Sequence, residues 1–376
     1  MSLAASGQVN HAVTQRGLEF LRKSQRADGS WPIDTNLATW CTTLAIDALP
    51  SSQLSTLNSQ PLLDWLLNQQ FKTEHPYTHA APGGWAWTDL PGGVPDADDT
   101  AGALLALAKF QISNPKFQND ARRAEIQRAA EAGIRWLLNL QNRDGGIPTF
   151  CRGWGALPFD RSSADITAHA IRAWLAWLDH VESDIRDETR VAIARAVQFL
   201  ETSQRRNGEW VPLWFGNQFH SLEENPIYGT ARVLRALQEF ADAQIGSAKS
   251  GMVRGLPTTA FRQGIEWLIS AQNTDGSWGH AGLETGSIEE TTLALQTLAN
   301  LVCPGPVVGD VNAIESAIAR GAEWFLARVE SGTWREPSPI GFYFAKLWYF
   351  DRLYPMIFTV GALRAVNEMD SLRKFK

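Results

Sequence analysis

Cysteine is scarce in this chain. Its 376 residues include three, Cys41, Cys151 and Cys303, far apart and odd in number, so no disulfide framework is expected and a reducing compartment is. Long apolar runs are also missing: none approaches the roughly 20 residues that a membrane-spanning helix needs. Basic charge is not in excess. The 34 Lys and Arg against 40 Asp and Glu leave a net charge of −6, which offers no electrostatic footprint for nucleic acid. The first residues, MSLAASGQVNHAVTQRG, lack the charged and apolar regions of a secretory leader. Together these absences lead us to expect a cytoplasmic protein, with peripheral membrane contact left open.

Tryptophan, by contrast, is abundant, with 16 residues. Its ring buries a large area and its face attracts cations, so this number implies a repeated packing device or an aromatic-lined cavity. Part of the explanation is a repeat. Gln25-Arg-Ala-Asp-Gly-Ser-Trp31 returns as Gln204-Arg-Arg-Asn-Gly-Glu-Trp210 and as Gln272-Asn-Thr-Asp-Gly-Ser-Trp278. Gln141-Asn-Arg-Asp-Gly-Gly-Ile147 lacks the tryptophan, and Gly83-Gly-Trp85 and Gly332-Thr-Trp334 are reduced versions. The spacing, roughly 60 residues, is that of a helical hairpin with its loops.

An amphipathic stretch with helical period precedes each motif: GLEFLRKSQ from Gly17, LLDWLLNQQ from Leu62, GIRWLLNLQ from Gly133, AVQFLETSQ from Ala196, GIEWLISAQ from Gly264 and GAEWFLARV from Gly321. The Asp-Gly or Asn-Gly after each full-motif Gln reads as a helix stop. Alternating with these are Ala-rich segments that are apolar nearly all round, starting at Thr42, Thr100, Thr167, Thr230, Thr291 and Thr359, as buried helices are. The pattern predicts an all-α chain in which six outer helices surround six inner ones, a single (α/α)6 barrel forming one domain over residues 1–376. Ala243–Thr258 and Pro304–Asp310 read as loops within it.

Aligned on their Thr residues, the inner helices place Trp40, Asp98, Asp165, Tyr228, Glu289 and Ile357 at equivalent positions. In a closed ring these residues surround one end of the central cavity, a natural ligand site. Val94-Pro-Asp-Ala-Asp-Asp-Thr100 is the sharpest local signal. A proline followed by aspartates suits a helix start, but three carboxylates in four positions exceed what a cap needs. They cannot all ionise cheaply, so at least one keeps a proton near neutral pH. His169 lies one turn after Asp165 on the next inner helix, where it can be a satisfied core residue or a hydrogen-bond partner for Asp98.

These residues carry a family resemblance over nearly the whole chain. The Gln-x-x-Asp-Gly-x-Trp repeats resemble the QW motifs of squalene-hopene and oxidosqualene cyclases. Asp96-Ala-Asp-Asp99-Thr-Ala resembles the DxDDTA motif of class II terpene cyclases. Asp165-Ile-Thr-Ala-His169 resembles their histidine-bearing segment, Tyr228-Gly-Thr their YGT segment, and Gly341 to Pro355 their aromatic C-terminal segment. The resemblance implies that Asp98 protonates a terminal isoprene double bond, with Asp96 and Asp99 in support, His169 hydrogen-bonded to it and Asp165 beside them. It further implies an aromatic lining of Trp40, Trp87, Phe150, Trp214, Tyr228 and Phe342 that stabilises carbocations. The implied substrate is an isoprenoid, squalene or a shorter prenyl chain, and no cofactor or metal is required.

The pattern also departs from the family. Its members usually have two barrel domains, and this sequence corresponds to the one that bears the DxDD motif. Shielding of the cation is therefore expected from a homodimer, a partner chain or the membrane. Lys346 and Ser338 stand where aromatics are usual, and Gln218–Asn225 is an insertion. Lys346 is expected either to pair with a carboxylate such as Glu289 or to contact a substrate diphosphate. Two other readings compete. A protein prenyltransferase β-subunit needs Asp-x-Cys and a distant His for zinc, and no cysteine here has an Asp two places before it. A non-catalytic isoprenoid-binding or partner subunit would keep the barrel but has no need of an acid.

Overall fold

The computed structural model describes residues 7–8, 10–25, 29, 36–56, 59–113, 120–151, 160–246, 255–279, 286–302, 309–336, 340–342, 347–349 and 351–373. They fall into two compact units, Met1–Asn36 and Leu37–Lys376. The first holds helix α1 (Ala12–Ser24), capped by His11, whose Nδ1 accepts from the Val13 amide at 3.2 Å. After it, Gln25 Nε2 donates to the Gly29 carbonyl at 3.0 Å.

The second unit is built of helices, as the periodicity predicts. In chain order they are α2 (Ala38–Ala48), α3 (Ser51–Thr56), α4 (Ser59–Asn68), α5 (Ala97–Ser113), α6 (Asp120–Leu140), α7 (Ala164–Trp177), α8 (Ser183–Ser203), α9 (Pro226–Gly246), α10 (Thr258–Ser270), α11 (Ile288–Leu301), α12 (Val311–Ser331) and α13 (Leu353–Arg373). The loop expected from Ala243 starts later, because α9 continues to Gly246. Two short antiparallel ribbons join them, Ile147–Pro148 with Ser162–Ser163 and Ile340–Phe342 with Leu347–Tyr349.

Helices α2, α5, α7, α9, α11 and α13 each pack on the next, and α13 returns to α2, closing an inner ring. Outer helices lie against it, α4 and α6 on α5, α8 on α7, α10 on α9 and α12 on α11. Burial follows position. Nearly every residue of α11 is buried, whereas α8 buries one stripe, including Ile185, Thr189, Ala192, Ile193, Ala196 and Leu200, the spacing of a helix with one face on a core.

The repeated motifs are the clamps between the rings. Trp85, Trp210 and Trp278 are completely buried, and each indole N–H donates to a carbonyl of the preceding outer helix, Leu66, Leu200 and Leu268, at 2.7–2.9 Å. The motif glutamine reaches outward. Gln204 Nε2 donates at 2.8 Å both to Gly208 in its own turn and to Ala260 at the start of α10. Gln141 and Gln272 do the same toward Ala192 and Ala317. The glycine of the motif does not end the outer helix, contrary to the sequence expectation. α8 stops at an extended Gln204, and the left-handed Gly208 (φ 102°) lies in the turn that follows. A side chain there would meet the Gln263 carbonyl oxygen at 2.5 Å, so glycine is needed for close approach to α10. Gly264 makes room for the Trp210 ring, which a Cβ would meet at 2.5 Å.

The threonines on which the inner helices align have a matching role. The backbone N–H of the motif residue donates to the threonine hydroxyl: Trp85 to Thr100, Ile147 to Thr167, Trp210 to Thr230 and Trp278 to Thr291, at 2.8–3.0 Å. These bonds set the rotation of four inner helices, α5, α7, α9 and α11, with the threonine facing outward toward the clamp. Helical residues two apart differ by about 200°, so the residue two places earlier faces inward.

Replacing Thr230 by valine, nearly isosteric but without an acceptor, is expected to destabilise the protein by about 1–3 kcal/mol through the orphaned Trp210 amide. Trp210→Ala is expected to cost about 3–5 kcal/mol. Urea unfolding monitored by circular dichroism checks both, and a Thr230→Val protein as stable as wild type contradicts the clamp.

Candidate active site

The DADD segment folds as a helix start in which the first aspartate is occupied by capping. Asp96 precedes α5, and its Oδ1 accepts from the Asp99 amide at 2.8 Å. Its backbone is held on both sides, Asp96 N donating to Trp85 O at 2.9 Å and Ala97 N to Thr149 O at 2.7 Å. Asp96 and Asp99 are both buried, and Asp96 Oδ2 and Asp99 Oδ1 have no hydrogen-bond partner among the described residues. Burial raises the Asp96 carboxyl to about 8. Burial, added to by the charge of Asp96, drives Asp99 well above the usual carboxylate range. This pair therefore keeps a proton at neutral pH.

Asp98 differs from both. Its side chain retains 15% exposure. Oδ1 shares a hydrogen bond with Nδ1 of the buried His169 at 2.5 Å. Burial lowers the His169 pKa, although the neighbouring Asp98 opposes this. Asp165, one turn before His169, accepts from Ser163 Oγ at 2.5 Å, and burial followed by the charge of Asp98 raises its carboxyl to about 6.

Aromatic side chains form two groups near these carboxylates. Trp87, Phe150 and Trp214, all on loops before inner helices, meet edge to face, with centroids 5.9 Å and 5.3 Å apart. Trp214 is anchored by its indole N–H to Thr149 Oγ1, and Phe150 pairs with Asp96 through the backbone. In the second group, Phe215 stacks on Tyr228 at 4.4 Å and on Trp40 at 6.0 Å. Trp40 meets His169 edge-on at 6.1 Å and donates from Nε1 to Tyr354 Oη at 2.8 Å. Glu289 is buried at its equivalent position. Phe342 lies in the third strand, while Lys346, Ser338 and Trp31 fall outside the described residues.

Several residues in this region were missed from the sequence. Phe215 follows Trp214 and precedes the Gln218–Asn225 insertion, whose base is tied down by Arg205, bonded to both Glu224 oxygens at 2.6 and 2.7 Å. Arg232 is buried one turn beyond Tyr228, with its guanidinium over the Tyr228 and Trp40 rings. Near the other end of the inner helices, ion pairs join several of them. Arg235 pairs with Asp47 at 2.9 Å, Arg172 with Glu239 at 2.8 Å, and Lys109 donates to the Ile46, Asp47 and Leu49 carbonyls. Although burial opposes it, Arg235, Arg172 and Lys109 hold Asp47 well below the usual range. The threonine alignment contained the signal for these residues, since Arg232 and His169 share the register position two places after the threonine. Among the described residues, no group of three His, Cys, Asp or Glu side chains is arranged to hold a metal ion. None of the described helices is long and apolar enough to cross a membrane.

A ring of helices with the DADD aspartates at one end and aromatic residues around them agrees with the class II terpene cyclases that the sequence resembles. Residues 36–368 match the squalene-hopene cyclase C-terminal domain family, and the chain belongs to that family. It is 27% identical to enfumafungin synthase efuA of Hormonema carpetanum over 370 residues, 89% of this chain but 25% of that protein. Among solved structures, ent-copalyl diphosphate synthase from Streptomyces platensis superposes with a TM-score of 0.62 at 23% identity, over 93% of this chain and 55% of that one. The type II terpene cyclase MstE from Scytonema, in complex with geranylgeranyl dihydroxybenzoate, superposes with a TM-score of 0.55 at 16% identity, over 94% of this chain and 95% of that one. These two likenesses establish the shared fold.

The raised carboxyls of Asp96 and Asp99 carry a pH signature. Between the ordinary carboxylate range and about pH 8 the native state holds a proton that the unfolded chain has lost, so this contribution to stability falls as pH rises. Wild type is expected to lose more stability than Asp99→Asn between about pH 5 and about pH 8.5 in urea titrations. Equal losses in the two proteins contradict a protonated pair.

Proposed function

We propose that this barrel initiates cyclisation of an isoprenoid by donating a proton from Asp98 to a carbon–carbon double bond. The observation that carries the reading is the 2.5 Å contact between Asp98 and His169, set beside an aromatic group that offers no strong base. Protonating an alkene leaves a carboxylate and a carbocation. His169 is placed to hold the carboxylate by hydrogen bonding, while the faces of Trp87, Phe150 and Trp214 favour the carbocation without trapping it. Asp96 and Asp99 support the motif, Asp96 by capping α5 and both by holding a proton next to Asp98. Asp165 lies on the same inward face.

The family and the structural neighbours suggest two substrate classes, squalene and shorter prenyl chains carrying a diphosphate or an aromatic head. Lys346, which lies outside the described residues, is assigned one of two roles, pairing with a carboxylate such as Glu289 or contact with the diphosphate of a short prenyl substrate. Exclusion of water from the mouth is assigned to a second copy, a partner chain or a membrane surface.

Incubation of purified protein with squalene, prenyl diphosphates of several lengths and a geranylgeranylated hydroxybenzoate, followed by analysis of the organic extract, tests the reading. A cyclic product from at least one of them is expected. Asp98→Asn is expected to abolish it with the circular dichroism spectrum unchanged, since the amide is nearly isosteric but has no acidic proton. Trp87→Ala is expected to keep part of the activity and alter the products. Lys346→Met losing diphosphate substrates alone supports the head-group role, and equal loss on all substrates contradicts it. No product from wild type, with liposomes present or absent, overturns the reading in favour of a binding subunit.

A further inference from the structure

Two buried arginines flank His169. Arg172 lies three residues after it on α7, a neighbouring position on the helix surface, and is 4% exposed. Arg232 lies on α9, which packs against α7, at the register position that His169 holds on its own helix. It is 8% exposed. The Trp40 ring links His169 and Arg232. It meets the imidazole edge-on with centroids 6.1 Å apart, and its centroid lies 6.0 Å from the guanidinium carbon.

The two cations differ in what neutralises them. Arg172 pairs with Glu239 at 2.8 Å and with Asp47 at 3.4 Å. Arg232 donates from Nη2 to the Tyr228 hydroxyl at 3.1 Å, and among the described residues no carboxylate lies within ion-pair distance of it. Burial keeps that hydroxyl protonated by pushing its pKa above the usual range, so the partner is neutral. Arginine itself stays charged at every accessible pH.

The carboxylates around His169 act the other way. Asp98, in contact at 2.5 Å, favours an imidazolium. Asp165, one turn earlier on α7, adds to this once it ionises, at about 6. Asp96 and Asp99, beside Asp98, hold their protons and contribute less charge. Burial is the largest influence against the charged form, and Arg232 and then Arg172 reinforce it, so the His169 pKa falls below the usual histidine value.

We propose that Arg232 is a positioning residue for the acid: its unneutralised charge keeps His169 an uncharged imidazole and leaves Asp98 the single proton donor of the pair. The proposal rests on the reading of Asp98 as proton donor and assigns the protons within it. Nδ1 is the imidazole atom in contact with Asp98 Oδ1, so a neutral His169 carries its proton there and donates it to Oδ1. The proton for carbon is then on Oδ2. As the Oδ2–H bond breaks, the alkene electron pair forms the new C–H bond and leaves the carbocation. The Asp98 carboxylate stays held by Nδ1–H, and no imidazolium adds a second acid or a like charge beside the carbocation.

Nitrogen NMR of protein labelled with 15N-histidine reads this protonation state without any substrate. The His169 signals are identified by their loss in His169→Gln. Wild type is expected to show a neutral His169 at pH 7, with its proton on Nδ1. Arg232→Met is expected to take up the second imidazole proton about tenfold more readily, the interaction of unit charges roughly 10 Å apart at an effective dielectric near 20. Arg232→Lys, which keeps the charge, is expected to follow wild type, and Arg232→Gln replaces the Met variant if that protein does not fold. On any substrate that wild type cyclises, the acidic limb of the pH–rate profile is expected to move upward in Arg232→Met and not in Arg232→Lys. A charged His169 in wild type at pH 7, an unchanged titration in Arg232→Met, or equal shifts in the Met and Lys variants each overturns the proposal, even if wild type is an active cyclase. The expected NMR result in a protein that turns nothing over leaves the effect of Arg232 on His169 standing and removes the cyclase reading alone.

Discussion

The hydrogen bond from a motif backbone amide to a threonine hydroxyl is the constraint on which the site depends. It occurs in four inner helices, at Thr100, Thr167, Thr230 and Thr291, and determines which side of each helix faces the lumen. Rotating α5 by one residue, about 100°, would carry Asp98 away from His169. The buried tryptophans and bridging glutamines hold the turns so that this bond can be made. Trp85, Trp210 and Trp278 therefore serve to position the inner helices rather than to meet a ligand. In α13 the corresponding Thr359 is buried with no partner for its hydroxyl among the described residues.

Three aspartates in four positions acquire different properties because the helix start points them differently. Asp96 is used as a cap, and Asp99 is buried beside it. Lacking water and bringing like charges together, these two hold their protons more tightly than an exposed carboxyl does. Asp98 faces the lumen and reaches His169 across the interface between α5 and α7. A fully buried carboxyl cannot meet a substrate and a fully exposed one is levelled by water, so partial exposure beside a histidine suits a proton donor.

Much of the second unit was legible in the sequence because each hairpin repeats the same physics. Helical period, the Gln-to-Trp motif and the aligned threonines predict the alternation of helices and their inward residues. For His169 the sequence left two readings open, a satisfied core residue or a partner of Asp98, and the structure places it 2.5 Å from Asp98. What escaped was whatever depends on a side chain crossing the lumen. Arg232 looks like an ordinary arginine within TARVLRAL, and only the ring brings it to Trp40, far away in sequence. Phe215 was hidden in an irregular loop where no periodicity applies. The motif glycine was misplaced by a few residues, because a left-handed glycine serves equally as a helix cap or as the last residue of a following turn. Here the close approach of α10 selects the turn.

Membership of the squalene-hopene cyclase C-terminal domain family rests on a match over residues 36–368, while the chain spans about a quarter of enfumafungin synthase. Family and fold leave the chemistry to the site, whose central claim is that a proton passes from Asp98 to carbon. Turnover in deuterium oxide, with the product analysed by mass spectrometry, tests it most directly. The exchangeable Asp98 proton becomes deuterium, and the account predicts one deuterium fixed in each product molecule at the methyl group or ring carbon that received it. A cyclic product formed in deuterium oxide without deuterium on carbon would contradict protonation as the initiating step.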